Sequence, residues 1–331
     1  MRCCRLHRSQ NLLSCYQSRK RVSILNQIHG IHHVTSLASS PSANNRFFTE
    51  ALGLRRVKTT VNFDAPEVYH LYYGDEVGTP GTVMTYFPRP NSARGKAGVG
   101  EIGTTSFSIP VGTSGAWQKR LAEFRVAGIS SDTRFGEARV LFSGPDGESL
   151  ALVEHEDSRT PWTGGGVSED MAIRGFHSAS MRLRDGGASA ELLRFMGYEE
   201  IGIEGAATRF AIAGGSPANA IDIETVAAGK RAKQGAGSVH HIAFSVANAE
   251  AQRAVRKALI ETGYQVTPSI DRDYFQAIYF RSPGGILFEV ATDEPGFDRD
   301  EDRASLGTAL KLPKQHEHLR VELEAELEPL D

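Results

Sequence analysis

The chain has 331 residues, of which 40% are hydrophobic and 23% charged, and a net charge of −3. This is ordinary globular composition, long enough for two domains or one large duplicated one, and no apolar run approaches the ~18 residues needed to cross a bilayer. Six of the 37 basic residues (Arg2, Arg5, Arg8, Arg19, Lys20 and Arg21) crowd into the acid-free stretch 1–29, leaving 31 bases against 40 acids elsewhere, a body too acidic for a nucleic-acid groove.

Residues 1–29 read as a basic leader. Its Arg/Ser-rich composition is compatible with an organelle transit peptide. Its helical amphipathicity is poor, however, and a disordered extension or an early start codon is the preferred reading. The protein is then cytoplasmic, with a mitochondrial location as the alternative, and removal of 1–28 is expected to leave folding unchanged. All three cysteines (Cys3, Cys4 and Cys15) lie in this leader. The body therefore has no disulfide framework, thiolate nucleophile or Cys-ligated metal.

From residue 30 onward one plan recurs four times: a short strand, a helix stopped by glycine, then strands, the last preceded by a Pro/Gly turn. The first copy runs from "IHHVTSL" through "SPSANNRFFTEALG" to "TPGTVMTYF". Ser40 suits the helix cap, Pro41 the first turn, and Gly53 the stop. The second runs from "GTTSFSIP" through "AWQKRLAEFRVAG", with a stop at Gly128, to "GPDGESLALVE". A polar, Gly-rich connection, 156–174, separates the halves 30–155 and 175–293. The third copy runs from "GFHSASMRL" to "SPANAIDIE" with a stop at Gly197, and the fourth from "VHHIAFSV" to "SPGGILFEVA" with a stop at Gly263. Residues 294–331 form a charged C-terminal tail, helical near 316–328. Apolar residues keep the helical period (Phe47, Phe48, Ala51, Leu52; Ala251, Val255, Ala258, Leu259), whereas "VYHLYY" and "FQAIYF" read as strands. The class is α+β, and the modules must pair because one alone cannot bury both its faces.

Superposing the four copies points to a site. Modules 1 and 4 together offer His33, Tyr86, His241 and Glu289. Modules 2 and 3 offer Thr104, Ala151, His177 and Asp222, an eroded set. Two histidines and one carboxylate on a rigid sheet form the ligand set of non-haem Fe(II) oxygenases, and Zn²⁺ or Mn²⁺ fits the same set. A histidine in an apolar strand is usually a satisfied core residue, and His177 is read that way. A carboxylate inside "GILFEVA" is harder to place without a partner. Strand alternation turns His241, Ala243 and Ser245 one way and Ile242, Phe244 and Val246 the other, so His32 and His240 are expected to face away from the ligands. They serve there either as packing or as outer partners of the metal. Because modules 1 and 4 supply the ligands, their strands must meet, and modules 2 and 3 must pair with each other.

These modules resemble the vicinal oxygen chelate superfamily, which includes glyoxalase I, bleomycin-resistance proteins and extradiol dioxygenases. More narrowly, "YHLYYGDEVGTPGTVMTYFP", "RGFHS", "VHHIAF", "RDYFQAIYFRSPGGILFEVATDEPGF" and "LGTALKLP" resemble the hydroquinone-type ring-cleaving dioxygenases. The resemblance implies four βαβββ modules in two open, barrel-like mixed sheets. It also implies Fe(II), with Mn(II) as the alternative, and opening of a hydroquinone- or catechol-type ring by O₂. It places the metal ligands on His33, His241 and Glu289, and acid–base neighbours on Arg272 and Tyr274, with His240 as a further proton carrier. Two other classes compete. A glyoxalase-type isomerase needs a fourth ligand, where the alignment has Tyr86, and a binding-only resistance protein has no need of the three ligands. The partners expected are a small aromatic substrate and O₂, with no nucleic acid and no membrane. Association into a homo-oligomer is left open.

Overall fold

The computed structural model describes residues 25–330. Module 1 comprises β1 (Ile28–Ala38), α1 (Pro41–Arg46), which widens into a π turn over Phe47–Ala51, β2 (Arg55–Asn62), β3 (Ala65–Gly74) and β4 (Val83–Pro88). Ser40 caps α1 by accepting from the Ala43 amide, and Gly53 takes the left-handed conformation that ends it. Module 2 comprises β5 (Glu101–Ile109), α2 (Ser114–Glu123), β6 (Ala127–Arg134), β7 (Glu137–Ser143) and β8 (Ser149–Glu154). Module 3 comprises β9 (Gly175–Leu183), α3 (Gly187–Phe195), β10 (Glu199–Glu204), β11 (Ala207–Ala211) and β12 (Ala220–Thr225). Module 4 comprises β13 (Val239–Val246), α4 (Ala249–Glu261), β14 (Ile270–Asp271), β15 (Phe275–Arg281) and β16 (Leu287–Pro295).

One helix boundary differs from expectation. α2 ends at Glu123, where Arg125 takes φ +55°, rather than at Gly128. Gly128, at φ +71°, lies instead in the irregular start of β6, where the register with β7 shifts between Ala127 and Ser130. The leader boundary also moves. Leu25 is buried and its amide donates to the Phe195 carbonyl, and β1 begins at Ile28, so residues 25–29 belong to the fold. The transit-peptide reading of the remainder lies outside the described residues.

In every module the first strand runs parallel to the last, and the remaining neighbours are antiparallel. Two eight-stranded mixed sheets result. One is ordered β14-β15-β16-β13-β1-β4-β3-β2 and the other β10-β11-β12-β9-β5-β8-β7-β6. Modules 1 and 4 thus share one sheet through the antiparallel pair β1–β13, and modules 2 and 3 share the other through β5–β9. Ile242, Phe244 and Val246 are buried in one core with Val255 and Leu259 of α4, the face that the alternation pattern assigns to the helix layer. The sheets meet closely at Gly30 (φ +145°), where a Cβ would lie 2.7 Å from the Ala218 carbonyl oxygen. Among the described residues, no helix is long and apolar enough to cross a membrane.

The charged tail packs over module 1. Its short turns (Phe297–Arg299, Arg303–Ser305, Lys314–Leu319) and α5 (Arg320–Glu326) follow β16, and the segment 300–311 covers the free edge of β2. There the Gly307 carbonyl accepts from Thr59 Oγ1 (2.8 Å) and Arg56 Nε (3.1 Å), and the Lys311 amide donates to the Thr59 carbonyl (2.9 Å). A covered edge cannot recruit a foreign strand. The anchor is Lys58 of β2, fully buried, which donates to Asp300 (2.6 Å) and to Glu301. Lys58→Ala would leave the buried Glu301 carboxylate without its cation. It is expected to cost about 3–5 kcal/mol, to be read as a lowered urea midpoint at unchanged m-value.

Candidate metal centre

Of the three register shifts along the β1–β13 seam, two are bulges that fall at the His-His pairs. Ile31 faces Phe244 and His33 faces Ala243, so His32 is an extra residue in β1. Thr35 faces His241 and Ser36 faces Val239, so His240 is the extra residue in β13. A bulge interrupts alternation, which corrects the expectation that His32 and His240 face away. In each pair the neighbouring rings meet nitrogen to nitrogen: His32 Nδ1 to His33 Nδ1 at 2.9 Å, and His240 Nδ1 to His241 Nδ1 at 2.8 Å.

The proton positions in the first pair can be deduced. The Thr292 carbonyl, which only accepts, lies 3.1 Å from His32 Nε2 and requires the proton there. Burial, reinforced by His33, pushes His32 down to about 3, so it is neutral and its Nδ1 is an acceptor. His33 must then donate through Nδ1, and its Nε2 is turned toward Glu289. In the second pair, burial, His241 and Arg281 push His240 down to about 4. Donation from His241 to His240 is the direction that leaves His241 Nε2 free.

Both Nε2 atoms approach Glu289, which stands beside His241's strand because β16 runs parallel to β13 with Glu289 opposite Ala243. Glu289 Oε2 lies 2.9 Å from His241 Nε2 and 3.5 Å from His33 Nε2, and the three candidate ligand atoms lie within 4.8 Å of one another. Glu289 has no exposed surface, yet neither of its oxygens has a partner in hydrogen-bond geometry. Burial alone would raise its pKa, but positive charge and N–H groups on His33 and His241 outweigh burial and hold the carboxyl well below its ordinary range. A buried carboxylate with two imidazole nitrogens converging on it fits a divalent cation, which would take the place of any proton held among the three.

These ligands form one wall of a cavity of about 430 Å³, large enough for a single substituted ring. Phe87 and Phe275 supply apolar walls, and the Phe275 ring centroid lies 5.0 Å from that of His33. Arg272, placed near the site from sequence, is there, with Nε donating to Tyr279 Oη (3.3 Å). His240 also lines the cavity.

Tyr274 does not line it. Its hydroxyl donates to Asp300 (3.1 Å), its ring stacks on Phe297, and Lys58 sits 4.7 Å over its face, so it belongs to the tail anchor. A phenol that does line the cavity is Tyr279, directly opposite Glu289 in the β15–β16 hairpin. Burial first, then the Glu289 charge, raises its pKa and keeps it protonated. Counting back from Glu289 across the "SPGG" turn would have found Tyr279. His70 and Tyr72 also line the cavity; the Tyr72 hydroxyl lies 2.8 Å from His70 Nδ1, and His70 Nε2 lies 2.9 Å from Thr85 Oγ1. Only the "YHLYY" strand pattern hinted at them.

Tyr86 turns the other way, into the core against Phe48, and donates to Glu148 (3.2 Å), so β4 supplies no fourth ligand. The set expected from modules 2 and 3 does not gather either. Asp222 is held by Arg209 through two hydrogen bonds (2.7 and 3.0 Å), and Thr104 pairs with Ser149 at the surface.

The geometry agrees with comparisons to known proteins. The chain is 44% identical over 304 residues to MhqO of Bacillus subtilis, named as a ring-cleaving dioxygenase, with 91% of this chain and 96% of that one covered. The chain belongs to the ring-cleaving dioxygenases of the glyoxalase/bleomycin resistance protein/dioxygenase superfamily. The family model of that superfamily matches residues 182–290. The chlorohydroquinone/hydroquinone 1,2-dioxygenase of Sphingobium indicum is 35% identical over 310 residues, covering 90% of this chain and 95% of that one. Among solved structures, a Bacillus subtilis protein described as a dioxygenase superposes with a TM-score of 0.89 at 43% identity, covering 92% of this chain and 98% of that one. Glyoxalase I of Zea mays shares the fold at 11% identity, with a TM-score of 0.60 and 80% and 92% covered.

Within this candidate centre, His32 touches the three candidate ligands only through His33. Replacing it by Ala removes the acceptor that fixes the His33 tautomer while leaving all three ligands. Metal affinity is expected to fall about 10–100-fold, measured by competition with a fluorescent chelator.

Proposed function

We propose that the protein opens a hydroquinone- or catechol-type ring with O₂, using Fe(II) held by His33, His241 and Glu289. The observation that carries this reading is the buried Glu289 between two imidazole nitrogens, on the wall of a cavity sized for one ring. The relatives named above as ring-cleaving dioxygenases support it. When bound there, iron would supply the Lewis acidity that favours the phenolate form of the ring and the one-electron chemistry that lets O₂ react with it.

The chain's own groups do the rest. Phe87 and Phe275 bracket the ring and keep water from its faces. Arg272, whose guanidinium stays charged because Tyr279, Asp64 and Glu289 outweigh its burial, offsets negative charge gathering on the substrate. Tyr279, protonated and hydrogen-bonded by Arg272, holds a proton at Oη for an oxygen of the opening ring. His240 is neutral and stands on the same cavity wall, where it can exchange a proton with a ring hydroxyl. The overall change breaks one ring C–C bond and places both atoms of O₂ in the product.

Protein purified anaerobically with iron is expected to consume O₂ with members of a hydroquinone and catechol panel. No O₂ uptake with any of them, at full iron loading, would refute the reading. His33→Ala, His241→Ala and Glu289→Ala should each lose bound iron and turnover together, whereas His177→Ala should retain both. The two tyrosines separate just as sharply. Tyr279→Phe is expected to lower kcat by about 10²–10⁴ with iron retained, and Tyr274→Phe to leave kcat near that of the parent, as steady-state oxygen-electrode kinetics would show.

A further inference from the structure

Modules 2 and 3 carry an imidazole–carboxylate cluster of their own, of which only His177 occupies a position that the repeat relates to the first. Glu137 opens β7, and His155 follows β8 at the head of the connection between the halves. His177 is the extra residue of a bulge in β9, where Ser106 faces Ser178 and Phe107 faces Phe176. Glu137 Oε1 lies 2.8 Å from His155 Nδ1 and 3.0 Å from His177 Nε2. The three candidate ligand atoms lie within 4.8 Å of one another. The two rings stand 5.1 Å apart at 76°, against 5.5 Å and 80° for His33 and His241. Both sheets therefore aim two crossed imidazoles at one carboxylate oxygen.

The surroundings orient two of the three side chains as an outer shell does. Ser178 Oγ lies 3.0 Å from His177 Nδ1, so the ring's other nitrogen faces the cluster. Arg209 donates to the far oxygen, Glu137 Oε2 (2.6 Å), which leaves Oε1 for the cluster. The cluster is strongly acidic, and Glu137 holds His155 above its ordinary pKa, a charge that a bound cation would replace. Arg209 and Arg134 face three carboxylates: Asp222, Glu224 and Glu137. Access is open, because the His155 side chain is 43% exposed while that of His177 is 5% exposed.

We propose that Glu137, His155 and His177 form a second metal site, distinct from the ring-opening centre, that takes a zinc-class divalent ion. Two neutral imidazoles and one carboxylate suit that class, with water on the exposed side completing a tetrahedron. Binding displaces the protons that join the ring nitrogens to Glu137 and releases them to solvent. The ion would staple module 2, the connection and module 3, so its role is structural rather than chemical.

Full-length wild type is stripped of metal and titrated with Zn²⁺, using Co²⁺ as a spectroscopic substitute. About two equivalents are expected to bind, against about one in His155→Ala, with a rise in Tm as the second fills. A Glu289→Ala, His241→Ala chain isolates the second site; it should still bind about one equivalent and show tetrahedral Co²⁺ bands, both lost when His155→Ala is added. If that double variant fails to fold, the wild-type and His155→Ala pair decides alone. Equal uptake by those two chains, or no uptake beyond the first centre, would overturn the proposal.

Discussion

Everything at the ring-opening centre depends on the antiparallel seam between β1 and β13. It joins chain segments some two hundred residues apart, so the site forms only when the first and fourth modules close on each other. Ile31, Val34, Ile242 and Phe244 on this seam are fully buried, so apolar burial drives the closure. The two bulges are the local deviation that this burial sustains. They turn each His-His pair into a hydrogen-bonded unit, one ring facing Glu289 and the other meeting it at Nδ1. β16 then needs only its parallel register with β13 to deliver Glu289.

The centre resolves a conflict between two forces. Burial disfavours the Glu289 anion, and burial equally disfavours protonating the histidines around it. A divalent cation relieves both sides at once. Arg272 and Tyr279 extend the same field outward, to where a ring would sit.

The two sheets show how duplication diverged. The first keeps its cavity open, and the tail's Asp300 and Glu301 on Lys58 seal its free β2 edge. The second fills its interior with ion pairs, Arg209 to Asp222 and Glu137 and Arg134 to Glu224, and ties its edges together where the Phe135 amide donates to Glu204. His177, a core histidine by its strand context, turns out to be a bulge residue hydrogen-bonded to Glu137.

The sequence by itself determined the four-module plan, the caps at Ser40, Gly53, Gly197 and Gly263, and the convergence of His33, His241 and Glu289. Each follows from local periodicity, turn chemistry or comparison among the repeats. Tertiary structure alone decided what broke those periods. Bulges placed His32 and His240 beside the ligands, because an extra residue defeats alternation. Packing turned Tyr86 into the core and drew Tyr274 into the tail anchor, and the hairpin register put Tyr279 in the cavity instead. Gly128 ceased to be a helix stop because Arg125 had already taken the left-handed turn. Glu137 and His155 lie outside the positions that the superposed modules align, so no superposition could gather them around His177. Distances between side chains on different strands are set by register and twist, which a linear pattern of residue types does not encode.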